Sequence, residues 1–296
     1  MLGQKLGLGK GRYAVRFARD AADVSAAQRL RYLAFVAGSA APAINKAGSA
    51  APAINKAGSA APAINKAGSA APATDPTENP ILPNSPQIEA DADAYDTTCR
   101  HVLVEEVKSG ALVCTFRILE IDGGADIGRS YSAQYYGLEG LADFEGPMLE
   151  MGRFCIHPEW RDADILRVAW GAMTAYVDKA GIKMLFGCSS FHGTDAREYS
   201  DAFAMLKARH LAPTRFLPRV KAPNVFRFAA RLRRKPDAKK AMLKMPPLLR
   251  TYLVMGGWVS DHAVVDRDLN TLHVFTGLEI AAIPPARKRL LRAVAG

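Results

Sequence analysis

Residues 149–157 read Leu-Glu-Met-Gly-Arg-Phe-Cys-Ile-His, an apolar run that carries a carboxylate at Glu150 and a guanidinium at Arg153. A carboxylate in apolar surroundings is the side chain best suited to take a proton, because desolvation raises its pKa toward the working range. A guanidinium nearby supplies a planar set of donors for a carboxylate or phosphate. The same mixture recurs along the chain. Arg117 interrupts the apolar stretch 111–119, Arg31 lies four residues before Phe35 on one helical flank, and Asp93 and Asp96 belong to the acidic cluster 89–96. Singly, each residue reads as exposed or ion-paired. Jointly, three of them, Arg117, Glu150 and Arg153, interrupt apolar strands, which requires several independent buried salt bridges if they have no function, and buried charges cost several kcal/mol unless partnered. Glu150, Arg153, Arg31, Asp93, Asp96 and Arg117 are therefore the candidate site residues.

Other chemistries find less support. The six histidines are scattered, without the i,i+4 spacing and helical Glu of a zinc site, so no metal is expected. No Walker loop and no Gly-x-Gly-x-x-Gly after a strand is present, which argues against those forms of nucleotide binding. Gly187-Cys188-Ser189-Ser190 lacks the Gly-x-Ser-x-Gly pattern of a nucleophile elbow.

The elements that must position these residues follow from periodicity and caps. Residues 13–18 alternate as a first strand, and Asp20 or Asp23 caps a helix to about Phe35 with Leu30, Leu33 and Ala34 on its apolar face. Strands are expected at 100–107 and 111–119 around a hairpin turn, then at 149–157. If that last strand is regular, Glu150 and Arg153 point to opposite faces; a bulge would change this. The charged segment 159–164 forms the start of a helix that closes at Gly181, a strand covers 182–187, and Asp195 caps a helix to Arg209. A last strand is expected at 272–280. Strands alternating with single helices, joined partly by a hairpin, predict an α/β domain with a mixed sheet. Between the first helix and the acidic cluster, Ala-Gly-Ser-Ala-Ala-Pro-Ala-Ile-Asn-Lys repeats at 37–46, 47–56 and 57–66, with a partial copy at 67–73. Pro and Gly every ten residues exclude a long helix, and residues 37–87 are expected to be a flexible low-complexity insert.

Of 296 residues, 49% are hydrophobic and 23% charged, the balance of a soluble globular protein. The four cysteines sit in apolar surroundings without paired spacing and are expected to be reduced core residues. With no signal-like or membrane-spanning stretch, a cytoplasmic location is expected. The net charge of +10 is local: residues 215–244 hold eleven Lys or Arg and one acid, Asp237 (11 − 1 = +10). Such a segment suits an anionic surface of some kind, and composition does not choose among nucleic acid, membrane and acidic protein.

Leu30-Arg31-Tyr32 with Phe35, Asp91-x-Asp93-x-x-Asp96, Cys114-Thr-Phe-Arg117-Ile-Leu and Leu149-Glu150-Met-Gly-Arg153-Phe154 occur in the order seen in acyl-homoserine lactone synthases, which the chain resembles in its first part. It resembles more closely, over about 12–36 and 88–283, the L-ornithine N-alpha-acyltransferases of bacterial ornithine lipid synthesis. Tyr131-Ser132-Ala133, Gly187-Cys188-Ser189-Ser190-Phe191-x-Gly193, Pro246-Pro247-Leu248-Leu249-x-x-Tyr252-Leu253 and Asp266-x-Asp268-x-Asn270-Thr271 carry that likeness. The resemblance implies a GNAT-like mixed sheet flanked by helices: 1–36 begin the domain, 88–214 form its core, 215–245 are a basic amphipathic segment and 246–296 a C-terminal extension completing it. It implies transfer of a 3-hydroxyacyl chain from acyl carrier protein to the α-amine of L-ornithine, with no cofactor, and it implies Glu150 and Arg153 as catalytic and Arg31, Asp93, Asp96 and Arg117 as substrate-binding residues. Residues 161–164, where GNAT acetyltransferases carry a glycine-bearing pyrophosphate loop, contain no glycine, which fits a carrier-protein donor better than coenzyme A. The two acidic partners then expected for 215–244 are the carrier protein and the anionic inner face of the cytoplasmic membrane, with no nucleic acid. The alternative readings are an acyl-homoserine lactone synthase and a non-catalytic basic binding protein.

Overall fold

A computed structural model of the chain describes residues 11–37 and 89–295. The insert expected at 37–87 lies outside the described residues, Ala37 excepted.

In chain order the strands are β1 (Tyr13–Phe17), β2 (Arg100–Glu106), β3 (Leu112–Ile121), β4 (Tyr136–Gly137), β5 (Met148–Ile156), β6 (Met184–His192), β7 (Arg219–Val220), β8 (Val225–Phe226), β9 (Trp258–Val259), β10 (Ala263–Asp266) and β11 (Thr271–Glu279). The helices are α1 (Ala21–Tyr32), α2 (Ala163–Ala180), α3 (Ser200–Arg209), α4 (Phe228–Arg231), α5 (Ala238–Lys244), α6 (Pro247–Val254) and α7 (Pro285–Ala295). Nine strands form one sheet in the order β1-β2-β3-β5-β6-β11-β10-β8, with β9 on β11. All of its strand pairs are antiparallel except β5–β6. This is the expected mixed α/β sheet flanked by helices.

Alternation along the central strands divides the core between two faces. Leu149 and Leu185 pack with α2 through Trp170, Met173 and Val177, whereas Met148, Met184 and Phe186 pack beneath the 127–141 segment with Tyr136 and Leu141. A third cluster joins α3, α5 and α6 to Phe191, Leu272 and Val274. Gly181 ends α2 in the left-handed conformation (φ 64°).

Three expectations are corrected. The first helix continues past Tyr32 as a wider π-helical turn over Leu33–Ala37, which breaks the 3.6-residue phase. The buried face of α1 runs through Ala27, Leu30 and Arg31, so Leu33 is 38% exposed, while Arg31 is fully buried and faces the acids at 91–96. The helix expected from 159–164 begins at Ala163, with Asp162 as its cap. The strand expected to stop at 187 runs on to His192, because β11 pairs with it along its whole length, and Gly187, Cys188, Ser189 and Ser190 are therefore residues of β6. Within the basic stretch, Val225–Phe226 forms an edge strand on β10, and Phe216 and Phe228 are buried.

Candidate active site

Two features of β5 set the geometry. Between the pairs Arg117–Gly152 and Thr115–Cys155, β5 has one residue more than β3, and Arg153, at φ 52°, lies in that bulge. The bulge resets the alternation, so Glu150 and Arg153 both reach the Tyr131 segment instead of facing apart. On its other edge β5 pairs with β6 only over Met148–Glu150, although both strands run on. They part beside Gly187, where an added Cβ would lie 2.3 Å from the Met151 carbonyl oxygen. A cleft of about 400 Å³ opens between the parted strands, and Arg117, Tyr131, Glu150 and Arg153 are among the residues that line it. Phe35, Phe154, Leu166, Pro246 and Leu248 give it a largely apolar remainder.

Glu150 is 4% exposed. Its carboxylate accepts hydrogen bonds from the Ser132 N–H (2.7 Å), the Ser132 hydroxyl (2.6 Å) and the Tyr131 N–H (2.8 Å). Those amides stand at the start of the 3₁₀ turn Ser132–Gln134, where backbone donors have no intrahelical partner. Burial pushes the Glu150 carboxyl up from its ordinary value, against the Ser132 and Tyr131 donors and the Arg117 charge, which pull it down.

The other five sequence-predicted residues form one connected network. Arg31 binds Asp96 through both terminal nitrogens (2.7 and 2.8 Å) and also the Asp91 carbonyl. Arg117 binds Asp93 and Asp96, and Arg153 binds Asp93 (3.1 Å) and the Tyr131 hydroxyl (3.3 Å). Asp93 also caps the 3₁₀ turn Ala94–Asp96 in a reciprocal capping box. Burial alone would raise Asp96, but hydrogen bonds from Arg31, Gln28 and Arg117 outweigh it and hold the carboxyl below the usual range. Asp93 is lowered for the same reason, its burial outweighed by the Arg117 bond and the Arg117 and Arg153 charges. Arg117 and Arg153 line the cleft with Glu150; Arg31, Asp93 and Asp96 are not lining residues. Asp91, an acid outside the candidate set, lies 3.0 Å from Arg31 Nε and 3.1 Å from Arg153 Nε. Sequence reasoning also missed Ser132 and Tyr131 as the groups that hold Glu150, though the Tyr131-Ser132-Ala133 triplet was itself a signal. Cys188, within 3.5 Å of the Ser132 hydroxyl, is pushed up to about 12 by burial and is protonated at neutral pH. Among the described residues no group of His, Cys, Asp and Glu is arranged to hold a metal ion.

A model of the acetyltransferase (GNAT) domain matches residues 78–171, the stretch that carries the acidic cluster, β2, β3 and β5. With the mixed sheet flanked by helices, this match assigns the stretch to the GNAT class. The chain is 32% identical over 278 residues to an L-ornithine N(alpha)-acyltransferase of Rhodobacter capsulatus, covering 92% of this chain and 91% of that one. It is 30% identical over 279 residues to the enzyme of the same name from Rhizobium meliloti, covering 90% and 80%. Among solved structures, a CoA-dependent acyl-homoserine lactone synthase is similar at 10% identity and TM-score 0.36, over 71% of each chain. The chain belongs to the L-ornithine N(alpha)-acyltransferase family.

Proposed function

We propose that the protein transfers a 3-hydroxyacyl chain from acyl carrier protein to the α-amine of L-ornithine, giving lyso-ornithine lipid. The observation that carries this reading is a buried carboxylate, Glu150, on the wall of an apolar cleft at the point where β5 and β6 part. The shared name of the relatives supports the acceptor.

The ornithine ammonium gives one proton to Glu150, directly or through water, and the freed amine attacks the thioester carbonyl. A C–N bond forms and the C–S bond breaks. The second proton lost from nitrogen goes to the departing sulfur, so ammonium plus thioester becomes amide, thiol and one proton. Holding amine and thioester in one cleft supplies much of the acceleration. Backbone N–H groups near Arg153 to Cys155, beyond the point where β6 ceases to pair, meet the oxyanion. Arg117 and Arg153 take the ornithine carboxylate, while Arg31, Asp91, Asp93 and Asp96 hold those two guanidiniums in position.

The start of α2 supports a carrier-protein donor over a nucleotide thioester. Its Asp164 amide is already capped by the Asp162 carboxylate, and Asp164 adds a second acid to the first turn. Carboxylates there oppose the diphosphate that a free helix N-terminus would attract. The product is an amphiphile, and the basic stretch 215–244 is the surface for an anionic bilayer. Among the described residues no helix is long and apolar enough to cross a membrane.

The test is purified protein with a 3-hydroxyacyl carrier protein and L-ornithine, followed by thiol release and a lipid-soluble product. Turnover is expected with the carrier-protein thioester and at most weakly with the matching coenzyme A thioester. No product from the carrier-protein donor would end this reading.

A further inference from the structure

Two polar atoms of β11, His273 Nε2 and Thr271 Oγ1, are buried without a hydrogen-bond partner. Both residues line the cleft, and two apart on one strand they face the same side of the sheet. His273 is 3% exposed, and the acyl-transfer steps above do not use it. A buried polar atom without a partner is costly, so one on a ligand cleft points to a partner that arrives with the ligand.

The chemistry of that partner follows from what surrounds the ring. The Tyr136 hydroxyl donates its single proton to the His273 carbonyl oxygen (2.8 Å) and lies 3.1 Å from His273 Nδ1. With that proton committed, Nδ1 must be the donor to the phenol oxygen, which leaves Nε2 as a bare acceptor. Burial, with the nearby His262 and Arg153, lowers the imidazole to about 4, so it is neutral at physiological pH and a poor taker of protons. The positive charge of Arg153 also disfavours an ammonium beside the ring. A neutral hydroxyl satisfies both orphan atoms, because it donates to Nε2 and accepts from the Thr271 hydroxyl. His273 is paired across the sheet with Ser190, in the part of β6 that has left β5, and so belongs to the open part of the cleft.

We propose that His273 Nε2, with Thr271 Oγ1, forms a subsite for a hydroxyl group on the acyl chain and selects hydroxylated donors over plain ones. The substrate class rests on the donor reading given above; the identity of the amine acceptor does not enter. A site built to bond a hydroxyl rejects the analogue lacking it, because its own polar atoms are then left unpaired.

The experiment compares kcat/KM for 3-hydroxyacyl and unsubstituted acyl carrier proteins of one chain length, with L-ornithine as acceptor. The unaltered protein is expected to favour the hydroxylated donor by roughly 10- to 100-fold. In His273→Leu this ratio falls to about threefold or less, whatever the absolute rates, and Thr271→Val lowers it partly. Tyr136→Phe keeps the ring but frees Nδ1, lets the other tautomer form, and gives an intermediate ratio. Should His273→Leu not fold, the last two variants decide the matter. An undiminished ratio in the folded variants overturns the subsite while leaving the donor reading intact. Equal use of both donors by the unaltered protein overturns the 3-hydroxyacyl reading and the subsite with it.

Discussion

Glu150 stands between opposing influences, burial that favours its protonated form and three donors that favour its carboxylate. Burial prevails, so its folded pKa lies above the ordinary glutamate value of about 4.3. The consequences for rate and stability have opposite signs. As pH rises through the raised pKa, the basic form accumulates and kcat/KM climbs on an acid limb above about 4.3. The stability contribution of the same group is full below the unfolded pKa and is lost across that window. Glu150→Gln keeps an acceptor for Ser132 but turns an amide NH₂ toward the Tyr131 N–H, leaving that buried donor unpaired. Stability should fall by about 1–3 kcal/mol, a loss of roughly 2–4 °C in Tm per kcal/mol for a domain of this size. Turnover should fall by about 10²–10⁴ as the acid limb disappears. Turnover within threefold of the parent in folded Glu150→Gln would remove it as the proton acceptor. Arg117, Glu150 and Arg153 were legible because charge inside apolar periodicity is anomalous, and Arg31, Asp93 and Asp96 because they fall in the motifs that carry the family resemblance. Tyr131 and Ser132 escaped because they act largely through backbone N–H groups, which side-chain identity does not advertise, and His273, inside the apolar run Leu272–Phe275, looks like a core residue.

At the level of elements, the site exists because β5 and β6 separate after pairing over only Met148–Glu150. Gly187 lets the strands lie close just before they part, since a Cβ there would meet the Met151 carbonyl oxygen at 2.3 Å, and its φ of 156° is also one that other residues rarely adopt. Gly187→Ala must therefore push backbone apart. Overpacking of this kind costs about 1–3 kcal/mol. The expected outcome is a lowered Tm together with a raised KM for the acyl donor, measured by thermal melts and steady-state kinetics. A variant with parental Tm and KM would mean that the close approach at Gly187 does not shape the cleft. Most elements were readable from local signals: alternation in β1 (Tyr13–Phe17), the Asp20 cap of α1, and the Gly181 stop of α2. What was not readable depends on distant partners. The second half of β6 is a strand because Thr271–Phe275 pairs with it from about eighty residues away, overriding the turn-like composition of 187–190. The bulge at Arg153 is likewise set by register against β3, although two charges three apart in one strand already raised the question.

Across the whole molecule, charge is distributed unevenly, and the excess of the 215–244 stretch equals the net +10 of the chain. Part of it is neutralised locally: Arg234 pairs with Asp201, and Lys240 lies 3.8 Å from Asp237. On α5, however, Leu243 is 80% exposed and Met242 39%, in a helix that also carries Lys239, Lys240 and Lys244. An apolar side chain in water, framed by lysines, matches the interfacial zone of an anionic bilayer, where the chain buries its CH₂ groups and the ammonium groups meet headgroups. Two residues after α5 the chain reaches Pro246–Leu249, which line the cleft, so this helix stands beside the place from which an acylated product would leave. At about 1 kcal/mol per lysine near such a surface, loss of all three should weaken attachment by roughly 100-fold. The proposed membrane role therefore predicts that the protein floats with vesicles containing anionic lipid and not with neutral ones. Replacing Lys239, Lys240 and Lys244 together by Gln, or Leu243 by Ser, should release it, with turnover of a detergent-solubilised assay retained in the Leu243 variant. Flotation that ignores lipid charge and both sets of substitutions would refute a bilayer as the partner of this face and leave the acidic carrier protein as the candidate for it.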